Sequence, residues 1–208
     1  MQLLLVRHAE PVRIGPEESG GKPVDPELTP LGREQAARLG AWLAGEPVHY
    51  VVSSSLRRAR ETAEPIAAAH GLEVVVIPEL REYDHNADHY IPVEELRETK
   101  DDRWQAMVEG RWEAFGGEAP DTFRARIVPC LEALINEHAG ETVVAVAHGG
   151  VVNVYLAALL GLSQHLWFDP GYTSLSRVRA SRAGARSLST LNETAHLIGT
   201  RDALGGSE

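Results

Sequence analysis

Two short apolar runs, each ending in histidine, constrain this chain most. Leu3, Leu4, Leu5 and Val6 lead into Arg7 and His8, and Val143 to Ala147 lead into His148, Gly149 and Gly150. Continuous Val- and Leu-rich runs of this length read as strands buried on both faces, the pattern of a parallel sheet. In open α/β sheets, ligands sit just outside the carboxyl ends of the strands. Both imidazoles, and Arg7 with them, are thereby aimed at the place where such folds do chemistry.

The rest of the chain alternates in the same way. Residues 2–6 form the first strand, and the Gly-, Pro- and acid-rich stretch 12–27 reads as a loop. Thr29-Pro30 has the form of a helix start, with Thr as N-cap and Pro at the first helical position. Leu31, Ala36, Leu39 and Leu43 give that helix an apolar stripe. A second strand over 48–52 leads to Ser53, Ser54 and Ser55, expected to cap a helix with Ala59, Thr62, Ala63 and Ile66 on one face. Gly71 ends that helix, and a third strand covers 72–77.

The polar stretch 78–120 interrupts the alternation. It reads as a helical insertion over one end of the sheet, with Tyr90, Trp104, Trp112 and Phe115 forming a small apolar core. Asp121 is expected to cap a helix carrying Ile127, Leu131, Leu134 and Ile135, which Pro129 should bend or split. A strand over 142–147, an apolar helix over 150–160 and a strand pair over 173–178 and 187–191 complete the pattern. The expectation is one three-layer α/β domain over 1–199. Its mostly parallel sheet is flanked by helices, and the helical insertion covers the sheet's C-terminal edge. A loose tail follows over 200–208.

Composition narrows the partners. A formal net charge of -10 across 208 residues argues against a general nucleic-acid surface or an anionic membrane surface. No apolar run approaches the roughly 20 residues of a membrane span. Cys130 is the one cysteine, so no internal disulfide framework is expected. Cytoplasm is the expected compartment, and Cys130 reads as inert core.

Arg7 and His8, Arg57 and Arg58, and His148 all fall at strand-to-helix junctions. Converging, they make an anion pocket of guanidiniums, imidazoles and helix N-termini, which a phosphoryl group fits best. A neutral imidazole there is a nucleophile able to take up a phosphoryl group, and flanking arginines favour its neutral form. The leaving oxygen then needs a proton. Glu82, after the third strand, is the first choice of donor, ahead of Glu79 and Asp84. Arg57 reads as a solvent-facing neighbour of Arg58. Asp84, His85, Asp88 and His89 read as a polar rim rather than a metal site. Trp167 and Phe168 read as packing, as does His196.

Five segments occur in order: Leu-Val-Arg-His-Ala-Glu (5–10), Leu-Thr-Pro-Leu-Gly-Arg-Glu-Gln-Ala (28–36), Ser-Ser-Ser-Leu-Arg-Arg-Ala-Arg-Glu-Thr-Ala (53–63), Leu-Arg-Glu (80–82) and Ala-His-Gly-Gly (147–150). In them the chain resembles the histidine phosphatase superfamily, in its phosphoglycerate-mutase-like branch. Residues 191–197 also look like the C-terminal part of that branch's phosphatases. The resemblance implies that His8 is the phosphorylated nucleophile, that Arg7 and Arg58 clamp the phosphoryl group, and that His148 stabilises it in transfer. Gly149 would offer a backbone N–H, and Glu82 would be the proton donor. It also implies a small phosphorylated substrate, no metal and no cofactor.

The departures bear on activity. Ala9 replaces a common glycine. Pro11 stands where Ser or Thr is common, and Ile14 where an asparagine often contacts the phosphoryl group. Tyr83, Asp84, His85 and Asn86 follow Glu82 in place of the Arg-His-Tyr-Gly run of mutases. The expected activity is therefore metal-independent phosphomonoester hydrolysis of the histidine acid phosphatase kind, through phosphohistidine. A primer-dependent mutase and a non-catalytic phospho-ligand binder are the alternatives. Specificity is expected from 11–27 and 83–118.

Overall fold

The side chains of β1 (Gln2–Arg7) alternate between two cores. In the computed structural model, which describes residues 1–199, Leu3 and Leu5 enter one hydrophobic cluster while Leu4 and Val6 enter another. This is the period of two that a pleated strand imposes. Each fully buried side chain contributes about 1.5–3 kcal/mol relative to exposure.

The order is β1, α1 (Pro16–Ser19), α2 (Pro30–Leu43), β2 (Tyr50–Ser53), α3 (Arg57–His70) and β3 (Val74–Val76), followed by α4 (Val93–Glu98) and α5 (Asp102–Val108). Then come α6 (Pro120–Glu137), β4 (Thr142–Ala147), α7 (Gly149–Leu160), β5 (Leu175–Ala180) and β6 (Arg186–Glu193). Six strands form one sheet in the order β3-β2-β4-β1-β5-β6. The first four are parallel, and β5 and β6 add an antiparallel edge. On one face, Leu39 and Leu43 of α2 and Ala59, Ala63 and Ile66 of α3 meet Leu4, Val6, Val144 and Val146. On the other, Ile127 and Leu131 of α6 and Val151 and Tyr155 of α7 meet Leu3, Leu5, Val143 and Ala145. The three-layer α/β reading stands, and the expected final strand pair is present as the antiparallel β5–β6. No helix among the described residues is long and apolar enough to cross a membrane.

Several local expectations change. Thr29 does cap α2, accepting from the N–H of Gly32, a bond worth about 1 kcal/mol. A Cβ at Gly32 would overlap the carbonyl of Glu10, so glycine lets the start of α2 press against the loop that follows His8. The serines after β2 do not supply the α3 cap; Leu56 is the N-cap residue and has no side-chain bond. Asp121 is not a cap either, because α6 begins one residue earlier at Pro120, after Ala119. The helix runs through Pro129 unsplit. Within the 12–27 loop lies the short α1. Cys130 is half-exposed at the edge of a core rather than inside it. The expected loose tail, 200–208, lies outside the described residues.

Candidate active site

The β1–β4 register builds the centre of the site. Arg7 is the register partner of Ala147, so His8 and His148 leave adjacent strands side by side. Their rings lie 5.1 Å apart, centroid to centroid. Both are buried, at 3% and 0% exposure. Arg58, in the first turn of α3, reaches the same spot from β2. The three strand-to-helix junctions thus converge, bringing Arg7, His8, Arg58, Glu82, Gly149 and Gly150 onto one cavity of about 360 Å³, a volume in the range of small-molecule sites.

His8 has a defined tautomer. Its Nδ1 lies 2.7 Å from the carbonyl of Ala9. A carbonyl only accepts, so Nδ1 carries the proton and Nε2 presents its lone pair. That lone pair receives Nε–H of Arg58 at 3.3 Å. Burial, then the charges of Arg58 and Arg7, hold the imidazole well below its ordinary pKa, so His8 is neutral at neutral pH. Thr62, expected on the apolar face of its helix, instead accepts from the N–H of Ala9 at 2.9 Å and donates to the carbonyl of Arg58 at 2.7 Å. It couples the backbone after β1 to the first turn of α3.

His148 is held from the other side. Its Nε2 lies 2.8 Å from Oγ of Ser54. Ser54 Oγ also accepts from the N–H of Leu56 at 3.3 Å. Nδ1 of His148 is buried without a hydrogen-bond partner. An unpaired buried ring nitrogen beside His8 is a place for a polar atom of a ligand. Burial and the adjacent Arg58 keep this histidine neutral as well, with its pKa far below the ordinary value.

Glu82 is anchored by backbone. Its Oε2 accepts from the N–H of Gly150 at 2.8 Å and its Oε1 from the N–H of Tyr83 at 3.2 Å. A Cβ at residue 150 would overlap the carboxylate, so glycine is what admits Glu82 to the first turn of α7. Burial, seconded by the nearby charge of Asp84, pushes Glu82 up to about 7. A carboxyl group protonated near neutrality can act as an acid. The rival Glu79 does not line the cavity, whereas Asp84 does.

Arg7 is clamped by Glu94 of α4 at 2.9 Å and by the carbonyl of Pro170 at 2.6 Å, with its guanidinium 4.0 Å from the centroid of the Tyr172 ring. Arg58 stands 4.8 Å from the ring of Tyr90. Sequence reasoning missed Ser54, Glu94 and Tyr172 as parts of the site, and it placed Tyr90 in the insertion core. Tyr90 is held by Ile14 through two backbone bonds, 2.9 and 2.8 Å. Ile14 therefore serves by its backbone, which no reading of its side chain reveals. Arg57 faces solvent and pairs with Glu27 and Glu61.

Two boundaries are corrected. The 83–118 stretch lines the cavity, but 11–27 does not. In its place stands 166–170, where Trp167 and Phe168 line the cavity rather than simply filling the core. Gly149 lines the cavity, and the N–H of the neighbouring Gly150 is taken up by Glu82. In the polar rim, His85 Nδ1 meets the carbonyl of Glu82 and His89 meets Asp88. No group of three or more His, Cys, Asp or Glu suited to a metal ion occurs among the described residues.

Comparison with known proteins fits this geometry. Phosphoserine phosphatase 1 of Hydrogenobacter thermophilus is 32% identical over 200 residues, covering 95% of this chain and 94% of that protein. Phosphoglycerate mutase-like protein 4 of Arabidopsis thaliana is 33% identical over 156 residues, covering 73% and 67%. The structure of Entamoeba histolytica phosphoserine phosphatase with 3-phosphoglyceric acid superposes with a TM-score of 0.73 at 26% identity, over 94% of this chain and 98% of that one. The sequence profile of the histidine phosphatase superfamily (branch 1) matches residues 3–194, and the chain belongs to that superfamily.

Proposed function

We propose that the protein is a metal-independent phosphomonoesterase that works through a phosphohistidine on His8. The observation that carries this reading is the state of His8: neutral, Nδ1 committed to a carbonyl, and the Nε2 lone pair turned to the Arg58 guanidinium. Nε2 attacks phosphorus, the N–P bond forms and the P–O ester bond breaks. Arg7, Arg58 and His148 stabilise the equatorial oxygens as charge develops. Glu82 gives its proton to the leaving oxygen. Water then passes a proton back to Glu82 and attacks phosphorus, releasing phosphate and restoring His8. The positive charge this chemistry needs comes from side chains and from the N-terminus of α7.

Hydrolysis is favoured over mutase chemistry by one feature. Of the described cations lining the cavity, the one beyond Arg7 and Arg58 is Arg103, and Asp101 holds it by two bonds of 2.8 and 2.7 Å. A second anionic group on the substrate would have to compete with Asp101 for Arg103. The similarity to two phosphoserine phosphatases supports the same choice.

The test is phosphate release from p-nitrophenyl phosphate with EDTA present. Wild type should turn over and His8→Ala should lose activity by at least about 10³-fold. Full turnover by His8→Ala would refute the mechanism.

A further inference from the structure

Beyond the phosphoryl clamp, the cavity changes character. Its outer wall is apolar, made by Val93 and Leu96 of α4, Trp104 and Met107 of α5, Phe115, and Phe168. This wall is built rather than loosely draped. Trp112, fully buried, donates its indole N–H to the carbonyl of Met107 at 3.0 Å. Asn153 of α7 receives the N–H groups of Trp167 and Phe168 at 2.9 and 3.2 Å and donates to the carbonyl of Phe168 at 3.0 Å. The same helix whose first turn holds Glu82 therefore fixes the apolar wall.

Charge points the same way. Asp84 lines the cavity, Asp169 lines it while paired with Arg97 at 2.8 Å, and Arg103 is held by Asp101. An anionic leaving group would meet the Asp84 carboxyl and an apolar wall. An uncharged hydrocarbon would bury its surface there.

We propose that the leaving group is an uncharged, apolar alcohol, so that the substrates are phosphate monoesters of aliphatic or arylalkyl alcohols rather than phosphorylated acids. This rests on the phosphatase reading for its chemistry, but the binding preference stands on the wall itself.

The experiment uses two matched series. Ethyl, butyl and hexyl phosphate have leaving groups of nearly equal acidity, so differences in kcat/KM report contact with the wall. Ethyl-, butyl- and hexylphosphonate cannot be hydrolysed, and calorimetric Kd values report the same contact without turnover. The expected result is a gain of about two- to fourfold per methylene in both series. Hexyl phosphate should exceed phosphoserine and 3-phosphoglycerate at least about tenfold in kcat/KM. Trp104→Ala should reduce the hexyl-to-ethyl ratio. Val108→Arg, at a lining position 59% exposed to solvent, should raise 3-phosphoglycerate relative to hexyl phosphate. Flat or falling series, or preference for phosphoserine or 3-phosphoglycerate, overturns the proposal. Should no ester be hydrolysed while phosphonate affinity still climbs with chain length, the hydrolytic reading fails and the apolar subsite stands.

Discussion

The N–H of Gly150 donates to Oε2 of Glu82 at 2.8 Å, across 68 residues of sequence. This bond ties the carboxyl group after β3 to the helix that His148 begins, fixing Glu82 and His148 relative to one another. A methyl group at 150 has no room, whereas at 149 the nearest atoms are 3.9 Å away. Gly150→Ala should therefore cut kcat about tenfold or more by displacing Glu82, and Gly149→Ala should cost much less. Steady-state kinetics of the two alanine variants checks this, and equal losses would contradict it.

The pH profile follows from two groups. Glu82 titrates near 7 and must be protonated to serve the leaving oxygen, so kcat for an alkyl ester should fall as pH rises through about 7. His8 must be neutral, and its lowered pKa puts the acid limb well below 6.5. Glu82→Gln should erase the alkaline limb. It should lower kcat about 10²-fold for hexyl phosphate but far less for p-nitrophenyl phosphate, whose leaving group needs no proton.

The same shift has a stability consequence. Burial raises the Glu82 pKa in the folded state, so folding holds its proton more tightly than the unfolded chain does. That contribution is complete below the unfolded value near 4.5 and is lost as pH climbs through about 7. Glu82→Gln should thus gain Tm relative to wild type between pH 5 and 8, as thermal melts at both pH values would register. A constant difference in Tm would contradict it.

The charge of Arg58 lowers the pKa of His8, with which it is hydrogen-bonded. Arg58→Ala should raise KM, reduce kcat about 10²-fold and move the acid limb upward. A loss of rate with an unmoved acid limb would mean that Arg58 acts on substrate alone.

Ser54 Oγ holds Nε2 of His148 at 2.8 Å. Ser54→Ala leaves Nε2 of a fully buried imidazole without a partner, a cost of about 1–3 kcal/mol. The expected outcome is a lower Tm with kcat reduced about tenfold; full activity would show that the Ser54 contact does not position His148.

Much of this was legible in the chain. Leu3–Val6 and Val143–Ala147 announced parallel core strands because both faces are buried, and the histidines at their ends lie 5.1 Å apart. Arg7, Arg58 and Glu82, picked out from their segments, line the same cavity as His8. What escaped shares one physical cause: long-range contacts leave no local pattern. Ser54 was taken as a cap because serine after a strand normally caps, yet its hydroxyl is claimed by His148, 94 residues away. Ile14 acts through its backbone on Tyr90. Trp167 and Phe168 looked like packing because apolar residues lining a cavity and apolar residues filling a core have the same composition.

The most direct test of the mechanism is the covalent intermediate itself. Wild type mixed with p-nitrophenyl phosphate, quenched within milliseconds in alkali, digested and analysed by mass spectrometry should carry a phosphoryl group on His8. His8→Ala should carry none. A phosphoryl group on another residue, or turnover that proceeds undiminished in His8→Ala, would contradict the account.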